Sequence, residues 1–381
     1  MKNIKVVIGA LFGDEGKGLM TDYFCQQGRT LNVRFNGTAQ ASHTVHRNNK
    51  SHIFKTIGAG SFQENVDTYL SKEFVINPII LKEEVCEFIK EYQIKPNIYI
   101  HKDCKIVTPY DMILNQQIEL NRKVKHGSCG CGLFETIKRY KSGYYWKLND
   151  FNFENILDKI IENSNKVFFK QQTVDDSLNL KEIKQHFIKD YLWMLSYCQI
   201  VDDKILENYE NIVFEGGQGL SLCEDNLKYF PHLTPSQTGM KNVSNILSNV
   251  SFDYDLEICY VMRSYATRHG NGLLNHECKK EELGSEVIEK TNVFNTYQGN
   301  FRFGYLDLEE VKENIEYDLK KISKGISYTT SLAITHLDQT NYFIKTNKGN
   351  VLPLDLSFNN LYFVNGETAQ NVEKCFKKER N

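Results

Sequence analysis

Lys5-Val6-Val7-Ile8-Gly9-Ala10-Leu11-Phe12-Gly13-Asp14-Glu15-Gly16-Lys17-Gly18 is the stretch that decides the fold. It begins with a short apolar run of strand length, the pattern of a strand covered on both faces. A glycine-rich turn carrying charges follows, and residues 19–25 then have helical spacing. Strand, glycine loop and helix in that order open many α/β nucleotide sites, because the helix N-terminus favours an anion. The glycines let the backbone turn its N–H groups toward that anion, and Lys17 adds a positive charge. The run is not a Walker A, which needs G-x-x-x-x-G-K-[ST]. Asp14 is out of place in a pure phosphate cradle, since a carboxylate repels phosphate. It suits a residue that takes a proton or holds a metal. On the loop alone, a solvated glycine turn stays open as the plainer alternative.

Further along, Arg34-Phe35-Asn36-Gly37-Thr38-Ala39-Gln40-Ala41-Ser42-His43-Thr44 follows a second strand at 31–35. His43 sits there among small residues. A lone histidine is more often structural, but beside Asp14 on a neighbouring strand end it becomes a candidate general acid. Further strands are read at 53–57, 68–70, 97–101, 211–214, 256–262 and 331–335. Helices are read at 81–92, 112–123 and 309–325, and a helical insertion at about 148–210. A hairpin is read at 341–351, around Asn347-Lys348-Gly349-Asn350. The fold class expected is α/β, with a predominantly parallel central sheet flanked by helices. It is P-loop-like without a Walker A and forms one domain over 1–381 with helical insertions. Ligands bind such sheets beyond the carboxyl ends of the strands, where both loops lie.

Composition excludes other classes. With 46 basic and 48 acidic residues the net charge is −2, which argues against nucleic acid as a partner. No apolar run approaches the ~18 residues of a membrane span, and the short N-terminal run reads as a buried strand, not a signal peptide. The 10 cysteines are expected to be reduced, in a cytoplasmic setting. Cys129 and Cys131 form a C-x-C pair, with no second pair to complete a zinc site.

Taken together, the loops resemble those of the adenylosuccinate synthetase family, which joins L-aspartate to IMP with GTP. The family's W-G-D-E-G-K-G-K is similar to residues 12–19, and its R-[FY]-x-G-x-x-N-A-G-H-T to residues 34–44. F-E-G-A-Q-G is similar to Phe214-Glu215-Gly216-Gly217-Gln218-Gly219, and A-Y-x-T-R-x-G-x-G to residues 264–272. G-W-L-D resembles Gly304-Tyr305-Leu306-Asp307, T-K-L-D resembles Thr335-His336-Leu337-Asp338, and Val364-Asn365-Gly366 is a weak C-terminal echo.

The resemblance implies a two-step reaction. The triphosphate phosphorylates the purine 6-oxygen, and the amino group of aspartate then displaces that phosphate. Asp14 would be the base and Mg²⁺ ligand, with Ser42 as a second ligand. His43 would be the acid, Gln218 the residue holding Asp14 and the base edge, and Lys17 a phosphate partner. Glu15, Gly16, Lys17, Gly18, Ser42, Thr44, His336, Asp338 and Gly366 would bind the nucleoside triphosphate. Asp14, Gln40, Ser128, Cys129, Gln218 and Thr238 would bind the substrate nucleotide, with Arg139 reaching the phosphate of the partner subunit in a homodimer. Thr296, Gln298, Asn300 and Arg302 would bind aspartate.

The sequence also departs from the family pattern. The chain is shorter than typical members, mostly after residue 340. Ser42 replaces the glycine before the histidine, and His336 replaces the lysine of T-K-L-D. The family's T-T-G-R-x-R-R loop is reduced to residues 297–303, with Asn300 in place of the first arginine and Arg302 as the remaining cation. Two carboxylates normally want more than one charge-assisted partner. The short chain and the altered arginine loop resemble a phage branch that joins aspartate to dGMP, whereas the retained Asp14 suits IMP. GTP and ATP both remain open as donor. A catalytically silent nucleotide-binding protein is the alternative of another class.

Overall fold

A computed structural model of the chain describes residues 1–39, 41–123, 125–150, 152–171, 178–289, 299–358 and 360–376. Among them the main sheet has ten strands. From one edge these are Val372–Phe376, Asn360–Val364, Thr329–Thr335, Tyr254–Arg263, Lys2–Gly9, Asn211–Gly219, Thr30–Arg34, Val66–Leu70, Ile98–His101 and Gln199–Val201. Neighbours pair in parallel except at the first edge, where Asn360–Val364 and Val372–Phe376 run antiparallel.

The opening strand shows why the apolar run is continuous. Ile4, Val6 and Ile8 point into the core packed by helices Met240–Leu247 and Leu308–Leu319. Val7 points the other way, into a core with Leu19, Met20 and Phe24 of helix Lys17–Phe24. Alternate residues thus meet opposite helical layers, and both must be apolar. A third core lies under helices Pro78–Tyr92, Phe153–Gln171 and Leu180–Tyr197.

The α/β fold with a mostly parallel sheet is as expected, and the hairpin is found as strands Ile344–Thr346 and Gly349–Val351. Two readings need correction, and two groups of strands were not anticipated. The span taken as helical contains a strand, Gln199–Val201, which forms the far edge of the sheet. The strand placed at 53–57 is Lys50–Phe54, and it pairs with His43–Arg47 outside the main sheet. The C-terminal strands were not anticipated, nor was the small sheet of Ala266–His269, Phe301–Gly304 and Glu277–Cys278. Such short strands carry too few residues to show a period.

Candidate active site

The first loop leaves the carboxyl end of the central strand and runs into helix Lys17–Phe24. Gly16 caps that helix at φ 92°, a left-handed conformation that glycine adopts without strain. Asp14 also has positive φ, 56°, so its placement is forced by the loop around it. Neighbouring strands supply that force. Arg263 Nε donates to the Asp14 carbonyl at 2.5 Å, and Thr335 Oγ1 donates to the Glu15 carbonyl at 3.0 Å.

Two of the expected phosphate residues are set differently from one another. Lys17 is buried, with Nζ 3.7 Å from Glu15 Oε2. The Glu15 carboxylate turns back into the loop and accepts from Leu11 N at 2.6 Å. Burial raises its pKa. Its side chain shapes the loop, and only its backbone is placed to face a phosphate.

His43 begins the strand that follows the second loop. Helix Lys17–Phe24 passes so close that a Cβ on Gly18 would lie 2.6 Å from His43 Cβ. The His43 Nδ1 is 2.5 Å from Glu215 Oε1, while Nε2 is buried with no partner among the described residues. Glu215 is completely buried; its other oxygen accepts from Ala59 N at 3.0 Å, and Arg34 lies 3.8 Å from Oε1. Burial alone would raise the Glu215 carboxyl, but Arg34 and His43 hold it down to about 2. Burial lowers the His43 pKa despite this partner. The neutral ring therefore donates Nδ1–H to Glu215 and presents a bare Nε2. Glu215 and Arg34 were not assigned roles from sequence. The usable signal was an acid placed in a fully apolar strand run.

One cavity of about 230 Å³ gathers Asp14, Glu15, Gly16, Lys17, Gly18, Ser42, His43, Thr44, His336, Asp338 and Gly366. All the residues expected to bind the triphosphate lie there, although they come from distant parts of the chain. The His336 pKa lies well below the ordinary value, because of burial and then Arg263.

A second cavity, of about 300 Å³, is lined by Gln218, Ser128, Cys129, Arg268 and Glu135 among others. It adjoins the first at the loop, where a Cβ on Gly13 would sit 3.2 Å from Gln218 Oε1. Helix Pro109–Asn121 holds the wall of this cavity. Asn115 Oδ1 accepts from Ser128 Oγ at 2.7 Å, Glu119 Oε1 from Gly127 N at 2.8 Å, and Gln116 Nε2 donates to Gly130 O at 3.2 Å. Asn115 and Glu119 are one helical turn apart, on one face. Glu135 is buried with Oε2 unpartnered, and burial raises its pKa.

Other expected site residues fall elsewhere. Arg139 is engaged within its own chain. Its guanidinium grips Asp111 (Nε 2.9 Å, Nη2 2.8 Å) and donates to the carbonyls of Tyr144 and Ile106. It lies outside the second cavity, with its charge neutralised inside its own chain. Thr238 is fully buried just ahead of helix Met240–Leu247 and lines neither cavity. Arg302 grips Glu277. Asn300 is exposed, and its carbonyl accepts from Gly270 N at 2.9 Å. Gln40, Thr296 and Gln298 lie outside the described residues. No disulfide joins any of the ten cysteines among the described residues, and no helix among the described residues is long and apolar enough to cross a membrane.

A parallel sheet whose central loops border two adjoining cavities, with a carboxylate and an imidazole on the wall of one, defines a nucleotide-handling enzyme of the α/β class. The adenylosuccinate synthetase family pattern matches residues 6–347, and the chain belongs to that family of purine nucleotide C–N ligases. The adenylosuccinate synthetase of Thermodesulfovibrio yellowstonii is 28% identical over 87% of this chain and 77% of its own. That of Mycoplasma mycoides is 29% identical over 81% and 72%. Among solved structures, fully ligated adenylosuccinate synthetase from Plasmodium falciparum aligns with TM-score 0.72 and 21% identity, over 98% of this chain and 87% of that one. Cyanophage S-2L succinoaminodeoxyadenylate synthetase, bound to dGMP and to dATP as an energy donor, aligns with TM-score 0.61 and 15% identity, over 98% and 95%.

Proposed function

We propose that the chain phosphorylates the 6-oxygen of IMP with a nucleoside triphosphate and replaces that phosphate with L-aspartate, giving adenylosuccinate. The observation that carries this reading is the placement of Asp14, Lys17 and His43 on one cavity wall, with Gln218 against the same loop in the next cavity. A purely nucleotide-binding protein has no need of both a base and an acid there.

In this reading the substrate base lies against Gln218 with its N1–H toward Asp14. Asp14 takes that proton, which makes O6 the nucleophile. The triphosphate lies over Lys17 and the N-terminus of helix Lys17–Phe24, which offset its charge. His43 acts at Nε2. An arriving phosphoryl anion raises the His43 pKa, so the ring gains a proton there and offers it to the developing charge. Glu215 keeps Nδ1 protonated and the ring aligned.

Mg²⁺ belongs to the reading. The Asp14 carboxylate has no hydrogen-bond partner among the described residues and faces the same cavity as the exposed Ser42 hydroxyl. No cluster of three or more His, Cys, Asp or Glu suited to a metal occurs among the described residues. A sparse donor set of this kind fits a cation that completes its shell with water and substrate phosphates. When bound, Mg²⁺ would neutralise phosphate charge. A homodimer is also part of the reading, and sedimentation of the purified protein tests it.

One observation favours a second reading, in which the nucleotide is dGMP. Asn300 replaces an arginine that, in the resemblance, senses the ribose 2′-hydroxyl. The retained Asp14 carboxylate beside N1 favours IMP. The deciding experiment offers protein, Mg²⁺ and aspartate either IMP or dGMP, each with GTP or ATP, and follows the succinyl-nucleotide. Product from dGMP and none from IMP overturns the first reading. Nucleotide binding without phosphate release overturns both.

A further inference from the structure

We propose that Arg268, rather than Arg302, receives a carboxylate of the amino-acid substrate; this deepens the ligase reading above and rests on it. The two arginines are direct partners in the pairing of Ala266–His269 with Phe301–Gly304, but their surroundings are opposite. Arg302 has its fork occupied. Nε and Nη2 lie 2.9 and 2.5 Å from the Glu277 carboxylate, and Nη1 donates to the carbonyls of Gly270 and Gly272, both at 2.8 Å. Its charge is cancelled, and it ties the 270–272 turn to the small sheet.

Arg268 is only 2% exposed. Nη1 donates to the Leu273 carbonyl at 2.6 Å and Nη2 to the His232 carbonyl at 3.3 Å, while Nε is buried with no acceptor among the described residues. A guanidinium has five N–H donors, so some of these remain uncommitted. No carboxylate lies within ion-pair distance of it among the described residues. Its group lies over Phe12, 4.5 Å from the ring centroid, and 5.3 Å from that of Tyr229. These contacts compensate only part of the burial. Burial and then the neighbouring Arg302 pull the Arg268 pKa down to about 10. A buried cation with free donors and no counter-ion among the described residues is a receptor for an anion.

That receptor lies on the wall of the cavity that holds Gln218. Two kinds of anion enter this cavity in the ligase reading, the nucleotide phosphate and the amino-acid carboxylates. Phe12, under the guanidinium, precedes Gly13, and Gly13 abuts Gln218. This is the end where the purine base and the attacking amine meet. The phosphate end belongs to the 125–132 loop held by helix Pro109–Asn121. The carboxylate is therefore the anion within reach of Arg268.

Steady-state kinetics on wild type, R268Q, R268K and R302Q, with aspartate and nucleotide varied in turn, test the assignment. R268Q is expected to raise the aspartate KM about 100-fold and move the nucleotide KM less than about threefold. R268K should recover part of the loss, because it keeps the charge without the fork. R302Q should raise the aspartate KM less than R268Q does. A nucleotide KM that rises in place of the aspartate KM marks Arg268 as the phosphate receiver and overturns the assignment, as does a larger aspartate effect in R302Q. If R268Q fails to fold, R268K carries the test, and an unchanged aspartate KM in it overturns the proposal. Should wild type make no product from either nucleotide, the ligase reading itself falls. When wild type turns over and the Arg268 variants keep its aspartate KM, only this inference falls.

Discussion

The two cavities that meet at the first loop are built in different ways. The cavity holding Asp14, Lys17 and His43 is walled by loop tips at the ends of neighbouring parallel strands. The second cavity takes Asn115, Phe134 and Glu135 from two helices beyond the sheet, and Arg122 from the end of one of them. The first is assembled by the sheet register itself, so short motifs encode it. The second depends on how the helices dock, so its side chains are spread over positions that no local motif marks. Chemistry is expected to be sensitive in the first cavity, and substrate choice in the second.

The strongest way to break this contrast is to disarm the first cavity. Asp14→Asn and His43→Asn should each lower kcat by about 1000-fold or more while nucleotide still binds, as read by single-turnover phosphate release and equilibrium titration. Near-normal turnover in either variant would remove that residue from the chemistry.

The next largest effect belongs to an arginine outside both cavities. Arg139→Met leaves Asp111 buried and unpaired, a change that costs about 3–5 kcal/mol. Urea unfolding should show that loss, while the nucleotide KM of the folded protein stays put. A raised nucleotide KM with unchanged stability would restore Arg139 to phosphate binding.

Glu215→Gln acts on orientation. It should lower kcat about 100-fold, a general acid–base loss, with substrate KM values kept. The sign of the pH effect follows from the groups around His43. Glu215 raises the His43 pKa, while burial, Arg34 and Lys17 lower it. Removing the carboxylate lowers that pKa further, so the limb requiring protonated His43 moves to lower pH. The carboxyl of Glu215, held down to about 2, stabilises the fold above its unfolded value and loses this as pH falls toward 2. The variant should therefore lack that part of the acid-unfolding slope. A pH–rate limb that does not move would make Glu215 a structural partner of Arg34 alone.

What was legible in the sequence follows the same division. Residues 5–25 declared strand, loop and helix because each is a contiguous pattern. His336, Asp338 and Gly366 were placed by motif, and they do line the first cavity. The surroundings of Arg139 were not legible, because an arginine's place in sequence says nothing about which way its helix turns it. Here Asp111, one helix away, claims the guanidinium. Glu215 was passed over although it stood inside a quoted motif, since its role appears only when Thr30–Arg34 and Asn211–Gly219 pair and bring Arg34 alongside.

The smallest expected effect tests the helix-held wall directly. Asn115 Oδ1 accepts from the Ser128 hydroxyl at 2.7 Å and from Gly132 N at 3.4 Å. Asn115→Ala removes both anchors but leaves the Glu119 contact to Gly127 N, so the loop loosens without being released. One neutral hydrogen bond contributes about 1 kcal/mol, so the nucleotide KM should rise about tenfold or less. The donor triphosphate, bound in the other cavity, should keep its KM, and kcat should change little. Equal losses for both nucleotides would mean that the cavities respond as one unit. A loss confined to the substrate nucleotide assigns the 125–132 loop to that ligand alone, and assigns its fit to a helix that the nucleotide need never touch.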